Sequence, residues 1–228
     1  MDIQYSIIYS ERKTLSVIIE RDRSVIVRAP KNTSTEVIAK EIEKRKRLIQ
    51  KKIEPNQKYP FEKQAKEFVA GESLMYLGKN YKLNIVEEQI DGVLFDSKFL
   101  ISKENQKQAN KLFKAWYIKS ANEIITPKAK AIANQIGVKY NNINILDIKY
   151  RWGSCTPKDN IHFNWRLIKA PITVIEYIIV HELTHLLESN HTQEFWNRVS
   201  AQLPNYDKAK QWLKENGHEL ETDLDRKS

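Results

Sequence analysis

Short stretches of alternating apolar and polar residues open the chain. A period of two is typical of β-strands, and it predicts three antiparallel strands over about 3–9, 15–20 and 25–28. Apolar residues then recur at helical spacing, which predicts a helix over about 35–53, followed by a proline-bounded linker at 55–60. The pattern therefore begins with a small sheet and one helix.

The next apolar runs, between residues 72 and 102, are short and are separated by turn-forming pairs such as Asp91-Gly92. They predict a β-meander or a pair of hairpins. No catalytic constellation is evident in this half of the chain. We therefore interpret residues 1–104 as a β-rich N-terminal module with one helix, serving as a scaffold or a recognition surface.

The remaining residues, 105–228, are predicted to form the catalytic domain. A long helical pattern covers about 106–136, and we expect Pro127 to kink or divide it. Two alternating strands, about 143–152 and 161–168, are joined by a proline-bearing turn, which indicates a β-hairpin. The predicted fold class is therefore α+β, with this hairpin directly ahead of a further helix.

That further helix is predicted to begin near Thr173. Thr173-Val174-Ile175-Glu176 has the form of a capping box, and Pro171 would stop any earlier helix. Residues 174–180 are apolar on nearly every side apart from Glu176, which is typical of a helix buried in a core. A buried helix of this kind would hold the polar residues that follow it rigidly.

Those polar residues are His181-Glu182-Leu183-Thr184-His185. Helical residues four apart differ by about 40° of rotation and roughly 6 Å of rise, so His181 and His185 can share one ion. Two neutral imidazoles at this spacing suit zinc. Glu182 is placed to take a proton from a metal-activated water without being a ligand itself, which is the role of a general base.

His191 is the predicted third ligand, provided that the helix ends before it. In an unbroken helix it would be turned away from the first two histidines. Ser189 and Asn190 could supply the break, because Asn tolerates the left-handed conformation that ends many helices. The other two histidines, His162 and His218, are interpreted as surface residues.

A buried helix that merely carries polar groups is the alternative explanation. Two histidines and a glutamate left unsatisfied there would cost about 1 to 3 kcal/mol each. A metal ion satisfies all three together, and we therefore favour the metal site.

Composition limits the compartment and the partners. The single cysteine, Cys155, excludes a disulfide within the chain. No charged and apolar leader precedes the first strand, and no apolar stretch approaches the roughly 20 residues that span a bilayer, so we expect a cytoplasmic protein without a membrane partner. The net charge of +9 favours anionic partners. Basic residues at 44–47 and 51–52 could follow a DNA backbone, or they could simply form a solvated face.

Several motifs cluster between residues 147 and 215. They are Arg151-Trp152-Gly153-Ser154-Cys155, Asn164-Trp165-Arg166-Leu167-Ile168, Ala170-Pro171, His181-Glu182-Leu183-Thr184-His185, Asn190-His191 and Phe195-Trp196. Together they resemble the YgjP-like zinc metallopeptidases, which are described as predicted metal-dependent hydrolases. More distantly, they are similar to SprT-like proteases that act on DNA-bound proteins.

The resemblance implies a zincin-like catalytic domain with zinc on His181, His185 and His191 and with Glu182 as the base. It also marks Arg151 as a candidate catalytic residue, whose guanidinium could stabilise the oxyanion that forms on a carbonyl. A structural ion pair of Arg151 is the alternative. Cys155 is disfavoured as a ligand or nucleophile because three histidines and water already complete a catalytic tetrahedron.

We therefore predict a zinc-dependent peptidase that acts on polypeptides, with the hairpin offering an edge strand on which the substrate pairs. Two alternatives remain open: a nucleic-acid-associated binding protein with a structural zinc site, and a hydrolase of non-peptide amides. DNA or a DNA-bound protein is a possible partner of the peptidase as well as of the binding protein.

Overall fold

A computed structural model of the 228-residue chain describes residues 3–19, 25–53, 66–148 and 151–221. The chain divides into two compact units, residues 1–62 and residues 63–228. Each unit has its own hydrophobic core. The predicted linker at 55–60 lies outside the described residues.

The described residues of the first unit form a three-stranded sheet and one helix. Its strands are β1 (Tyr5–Ser10), β2 (Ser16–Ile19) and β3 (Val25–Pro30), in the order β1-β3-β2. The β2 strand is antiparallel to β3, as predicted, whereas β1 is parallel to β3. The alternating pattern determines which face of each strand is buried, and it carries no information on strand direction.

Helix α1 (Thr35–Ile53) has the predicted bounds. Its buried residues Ile38, Ile42 and Ile49 form a core with the inward-facing residues of β3, Val25 and Val27. The opposite side of α1 is exposed and carries most of its basic residues.

The second unit begins with a four-stranded sheet. Its strands are β4 (Ser73–Tyr76), β5 (Lys79–Val86), β6 (Val93–Asp96) and β7 (Lys98–Ser102), in the order β4-β5-β7-β6. The strands β4 and β5 form one antiparallel hairpin and β6 and β7 another. Because β5 and β7 pair in parallel, the arrangement is the pair of hairpins rather than the meander.

Helix α2 (Ala109–Ile136) follows a 3₁₀ turn at Lys103–Gln108. It ends at Gly137, which has the left-handed conformation. The helix runs continuously through Pro127, so the predicted division does not occur. Ile125 and Ala129, on either side of the proline, are both fully buried, and this packing holds the helix together despite the missing N–H.

A second, three-stranded sheet precedes the histidine-bearing helix. Its strands are β8 (Asn142–Leu146), β9 (Gly153–Cys155) and β10 (Asn160–Asn164), in the order β8-β10-β9. The hairpin predicted between strands 143–152 and 161–168 is wrong in its first strand. The strand β8 pairs with β10 in parallel, and the hairpin is formed by β9 and β10. Turn-like spacing in the sequence does not reveal which of two preceding segments a strand pairs with.

Three α-helices follow in the described part of the chain: α3 (Ile172–Thr184), α4 (Gln193–Gln202) and α5 (Tyr206–Asn216). The predicted capping box of α3 is wrong. Its N-cap is Pro171, without a side-chain cap bond in the described part of the chain, and Glu176 instead pairs with Lys128 of α2 at 2.7 Å. A tertiary ion pair thus takes the carboxylate that the local pattern assigned to the helix end.

These elements establish the predicted α+β class, with β-strands in the N-terminal part. The strands of 73–102 share one core with α2 and α3, because Leu74, Leu83 and Phe99 lie in the same buried cluster as Phe113 and Ile175. The compact units therefore divide at residue 62, whereas the sequence pattern placed a division after residue 104. None of the helices in the described ranges has the length and apolarity needed to cross a bilayer.

Candidate metal centre

The α3 helix places His181 and His185 one turn apart on the same face, with their ring centroids separated by 5.1 Å. The helix is held in the core by Ile175, Ile179 and Val180, each nearly inaccessible to solvent. At its start, the backbone N–H groups of Val174 and Ile175 donate to the carbonyl of Pro171. The two histidines therefore project from a rigid support.

The chain turns sharply between His185 and His191. Helix α3 ends at Thr184, and the N–H of Leu187 donates to the Thr184 carbonyl in the turn that follows. The helix thus ends before His191, as required, but earlier than the predicted break at Ser189 and Asn190. Asn190 is not among the described residues with a left-handed conformation, so its predicted role in the break is wrong.

This turn brings three imidazoles together. One ring nitrogen each of His181, His185 and His191 lies within 4.8 Å of the others, and Nε2 of His181 is 3.0 Å from Nε2 of His191. Two ligands of a tetrahedral zinc lie about 3.3 Å apart when each Zn–N distance is about 2.0 to 2.1 Å. Nδ1 of His185 donates to the carbonyl of Glu188 at 3.1 Å, which leaves Nε2 for the centre. The donor set fits a divalent metal of the zinc type.

The environment favours neutral imidazoles. Burial, together with the nearby His185, His191 and Lys210, lowers the pKa of His181 to about 3. Burial and the neighbouring His185 and Lys210 also lower the pKa of His191. A neutral imidazole is the form that binds metal, so the site needs no proton release from these rings at neutral pH.

Aromatic side chains from α4 fix the histidine rings. The Phe195 ring lies 4.7 Å from those of both His185 and His191, and the Trp196 ring stacks on His191 at 5.7 Å. Helix α4 is itself capped by Thr192, whose hydroxyl accepts from the Phe195 N–H at 3.3 Å. Helix α4 therefore supports the histidine rings through Phe195 and Trp196.

Glu182 lies against the edge strand β9 and is only 7% exposed. A methyl group on Gly153 would be 2.6 Å from Cγ of Glu182, closer than real contacts allow, so the absence of a side chain at Gly153 makes room for the carboxylate. Burial raises the pKa of Glu182 to about 7, while Arg151 and the backbone N–H of Cys155, which donates to it, act in the opposite direction. The result is a carboxyl group held against β9, one residue after His181 on α3.

Residues 13–216 match the family model described as the YgjP-like metallopeptidase domain. The chain belongs to this family. Membership supports a metal-dependent peptidase, and the histidine cluster and Glu182 both lie inside the matched residues.

Two archaeal metallopeptidase zymogens of known crystal structure are partly similar to this family member. Pyrococcus abyssi abylysin matches with a TM-score of 0.38 and 19% identity, over 44% of this chain and 99% of its own. Methanocaldococcus jannaschii jannalysin matches with a TM-score of 0.36 and 19% identity, over 40% of this chain and 95% of its own. No curated protein matches significantly.

The Arg151 to Cys155 motif contributes to the site through its backbone. Gly153 and the Cys155 N–H both contact Glu182. The thiol of Cys155 donates to the Thr156 carbonyl at 3.7 Å, and burial raises its pKa. Among the described residues, the group of side chains that could bind a metal ion contains the three histidines and not Cys155. Arg151 is exposed, and its charge acts on Glu182.

Two further side chains near the histidines were not predicted. Lys210 of α5 places its ammonium 4.4 Å from the centre of the Trp196 ring, and Tyr177 of α3 lies 5.9 Å from the His181 ring. Tyr177 precedes His181 by four residues, so helical spacing could have indicated this contact. Nothing in the local sequence indicates the position of Lys210, because α5 reaches the site only through tertiary packing.

Proposed function

We propose that the protein is a zinc-dependent peptidase. The observation that most supports this function is the convergence of His181, His185 and His191, with the buried Glu182 on the same helix as the first of them. Three histidines with an open fourth position are a common ligand set of catalytic zinc. Family membership restricts the chemistry to that of metallopeptidases.

In this proposal His181, His185 and His191 hold the metal. A zinc ion bound there would supply Lewis acidity, which polarises the scissile carbonyl and lowers the pKa of water. Glu182 takes the proton of the attacking water on a carboxylate oxygen and later passes it to the leaving amine. The Cys155 N–H donates a hydrogen bond to the Glu182 carboxylate, and the missing side chain of Gly153 leaves room for it, so the carboxylate keeps its position during both transfers.

The substrate chain is proposed to pair along the free edge of β9. The Asn164 N–H donates to the Trp152 carbonyl at 2.8 Å and the Thr156 N–H to the Asn160 carbonyl at 3.0 Å, so these residues face β10. By alternation, the backbone groups of Gly153 point to the opposite, unpaired edge. An extended peptide added there would lie beside Glu182.

Arg151 remains a candidate for stabilising the oxyanion. Its guanidinium is exposed, and its charge reaches Glu182. A fixed positive charge near a developing oxyanion stabilises the transition state. A purely structural ion pair of Arg151 is the alternative. In that case, loss of the Arg151 side chain would change the stability of the fold without lowering kcat.

The general-base role is tested by Glu182→Gln, which keeps the size and polarity of the side chain. We expect peptide turnover to fall by at least about a hundredfold, because the base is lost. Zinc content should stay unchanged. The assay is a digest of proteome-derived peptides by the zinc-loaded protein, read by mass spectrometry. Normal turnover in this variant would reject the role, and cleavage of simple amides without any peptide cleavage would favour the non-peptide alternative.

The ligand assignment is tested by His191→Ala, with His162→Ala on β10 as the matched control. We expect zinc affinity to fall by more than about tenfold in His191→Ala and to be unchanged in the control. Elemental analysis after dialysis measures the bound metal. Stoichiometric zinc in His191→Ala would place the third ligand elsewhere.

A further inference from the structure

A cavity of about 490 Å³ lies against the N-terminal half of α3, outside the histidine cluster. Its size is in the range of ligand-binding pockets. Most of its lining is apolar and comes from α3, α5 and the loop between α4 and α5: Val174, Tyr177, Leu203, Tyr206, Ala209 and Trp212. The exposed residues Thr173 and Lys208 lie at its rim.

An aromatic wall connects this cavity to the histidines. It consists of Tyr177, Tyr206 and Trp196. Tyr177 stacks on Tyr206 at 6.2 Å, and Tyr206 stacks on Trp196 at 5.4 Å. At its two ends, Tyr177 contacts His181 and Trp196 contacts His191. Tyr177 and Tyr206 line the cavity, and the Tyr177 ring lies 5.9 Å from the ring of His181.

The separation matches the spacing of residues in a peptide. Val174 lies seven residues before His181 on α3, a rise of about 10 Å. Tyr177 lies four residues before it, a rise of about 6 Å. An extended peptide advances about 3.3 Å per residue. A side chain two or three residues from a bond cleaved at the histidine cluster would therefore reach the cavity.

The chemistry of the cavity selects an apolar occupant. Among the described residues that line it, the one carboxylate is that of Glu176, and it is already paired with Lys128 at 2.7 Å. The tyrosine and tryptophan rings offer flat apolar surfaces on which an aromatic side chain packs favourably. A charged side chain inside the cavity would lose its hydration, because the ammonium of the lining residue Lys208 lies at the exposed rim.

We infer that this cavity binds an aromatic or large aliphatic side chain of the polypeptide substrate, two or three residues from the cleaved bond. The inference rests on the proposed peptidase function for the identity of the substrate. It assigns to the aromatic wall and to Ala209 a part in specificity that is separate from zinc binding and from Glu182.

The first experiment fills the cavity. Ala209→Phe places a ring among the lining residues, and Ala201→Phe on an exposed position of α4 is the matched control. Zinc-loaded wild type should cleave peptides with an aromatic residue at one fixed distance about 10- to 100-fold faster than those with alanine there. Ala209→Phe should lose this preference while keeping the bound zinc. The rim variant Thr173→Trp, which leaves the core intact, should reduce the preference in the same direction.

The second experiment measures binding without turnover. Zinc-loaded Glu182→Gln protein is titrated with short blocked alanine peptides in which one position is phenylalanine, leucine, aspartate or lysine. Fluorescence of Trp212, a lining residue, should change with the phenylalanine and leucine peptides only, and Trp212→Phe should abolish the change.

The outcomes separate the two proposals. Equal binding of all four peptides, or a preference unaffected by Ala209→Phe and Thr173→Trp, would overturn the inference. Selective binding of the apolar peptides that Ala209→Phe blocks, without cleavage of any peptide by zinc-loaded wild type, would uphold the cavity and reject the peptidase.

Discussion

At the scale of single residues, the site depends on a glycine as much as on its histidines. Gly153 is neither in a turn nor in a left-handed conformation; it lies in β9, and its missing side chain is what allows Glu182 to lie against the strand. The Cys155 N–H two residues later donates to the same carboxylate. The strand therefore determines where the proposed base can be.

We expect Gly153→Ala to displace the Glu182 carboxylate, because a methyl group would lie 2.8 Å from its Oε1. Small misplacements of a catalytic group cost up to about a hundredfold in rate, so kcat should fall by about 10- to 100-fold. KM and zinc content should change little, because neither the histidines nor the β9 backbone is altered. Steady-state kinetics with elemental analysis measures this split.

Ser154→Ala is the control for this change, since it alters the same strand without adding an atom next to Glu182. An unchanged kcat in Gly153→Ala would mean that the position of Glu182 does not depend on the strand. A loss of zinc in Gly153→Ala would indicate a general disturbance of the site instead.

At the scale of elements, the histidine-bearing helix is anchored by a hairpin of the other sheet. The turn between β4 and β5 contains Leu77 and Gly78, whose N–H groups donate to the carbonyls of Ile168 and Lys169 at 3.0 and 2.7 Å. Gly78 also lies directly against Pro171, the N-cap of α3. The start of α3 is therefore positioned by a segment more than ninety residues earlier in the chain.

Gly78→Ala should destabilise this junction. A methyl group there would be 2.7 Å from Cγ of Pro171, and Gly78 has a φ of +78°. We expect the free energy of unfolding to fall by about 2 to 4 kcal/mol, from the left-handed conformation and the overpacking together. Gly92→Ala is the matched control, because Gly92 has a φ of +73° with nothing within 4 Å of the added methyl. Denaturant unfolding measures both variants, and the difference between their losses in free energy of unfolding reports the contact with Pro171 alone. Equal losses in the two variants would contradict the anchoring role.

The basic helix α1 carries its own counterions. Arg45 pairs with Glu41, and Lys46 pairs with Glu43 at 3.0 Å. These pairs reduce the positive field of the exposed face, although Lys44 and Arg47 lie on it as well. DNA association stays a prediction. The salt dependence of DNA binding, with charge reversal at Lys44 and Arg47, would decide it.

At the scale of the whole molecule, one ion-pair network joins separate parts of the larger unit. Asp147, after β8, accepts from Lys114 of α2 at 2.6 Å and from Arg166, which lies just before α3. The Arg166 side chain is only 6% exposed and stacks on Trp165 at 4.4 Å. The network therefore fixes the sheet of β9 and the start of α3 relative to α2.

This network predicts a dependence of stability on pH. Burial alone would raise the pKa of Asp147, but the hydrogen bonds and charges of Arg166 and Lys114 outweigh it and lower the pKa to about 2 from 3.8. A carboxylate with a lowered pKa in the folded state contributes stability that is fully present above pH 4 and is lost as the pH falls toward 2. We expect Asp147→Asn to lower the free energy of unfolding at pH 7 by about 1 to 3 kcal/mol, a partly screened value because Asp147 is 42% exposed.

The difference between wild type and Asp147→Asn should shrink between pH 4 and pH 2. Urea unfolding at several pH values measures it, with Asp91→Asn on an exposed turn as the control for removing one carboxylate. A difference that is constant across this range would show that ionised Asp147 does not stabilise the fold.

The sequence by itself determined the local features of this protein. The bounds of α1, the glycine end of α2 and the positions of His181 and His185 follow from helical periodicity and spacing. A helix imposes its geometry on residues three and four apart whatever surrounds it, so such relations are readable in one dimension. The need for a bend before His191 follows from the same geometry.

Only the tertiary structure decided the contacts between distant segments. It placed β9 rather than β8 in the hairpin, paired Glu176 with Lys128 instead of the helix end, and brought Gly153 against Glu182. It also formed the cavity from α3 and α5. Apart from the hairpin, these contacts join residues tens of positions apart, and their geometry depends on how whole elements pack, which alternating and helical patterns do not encode.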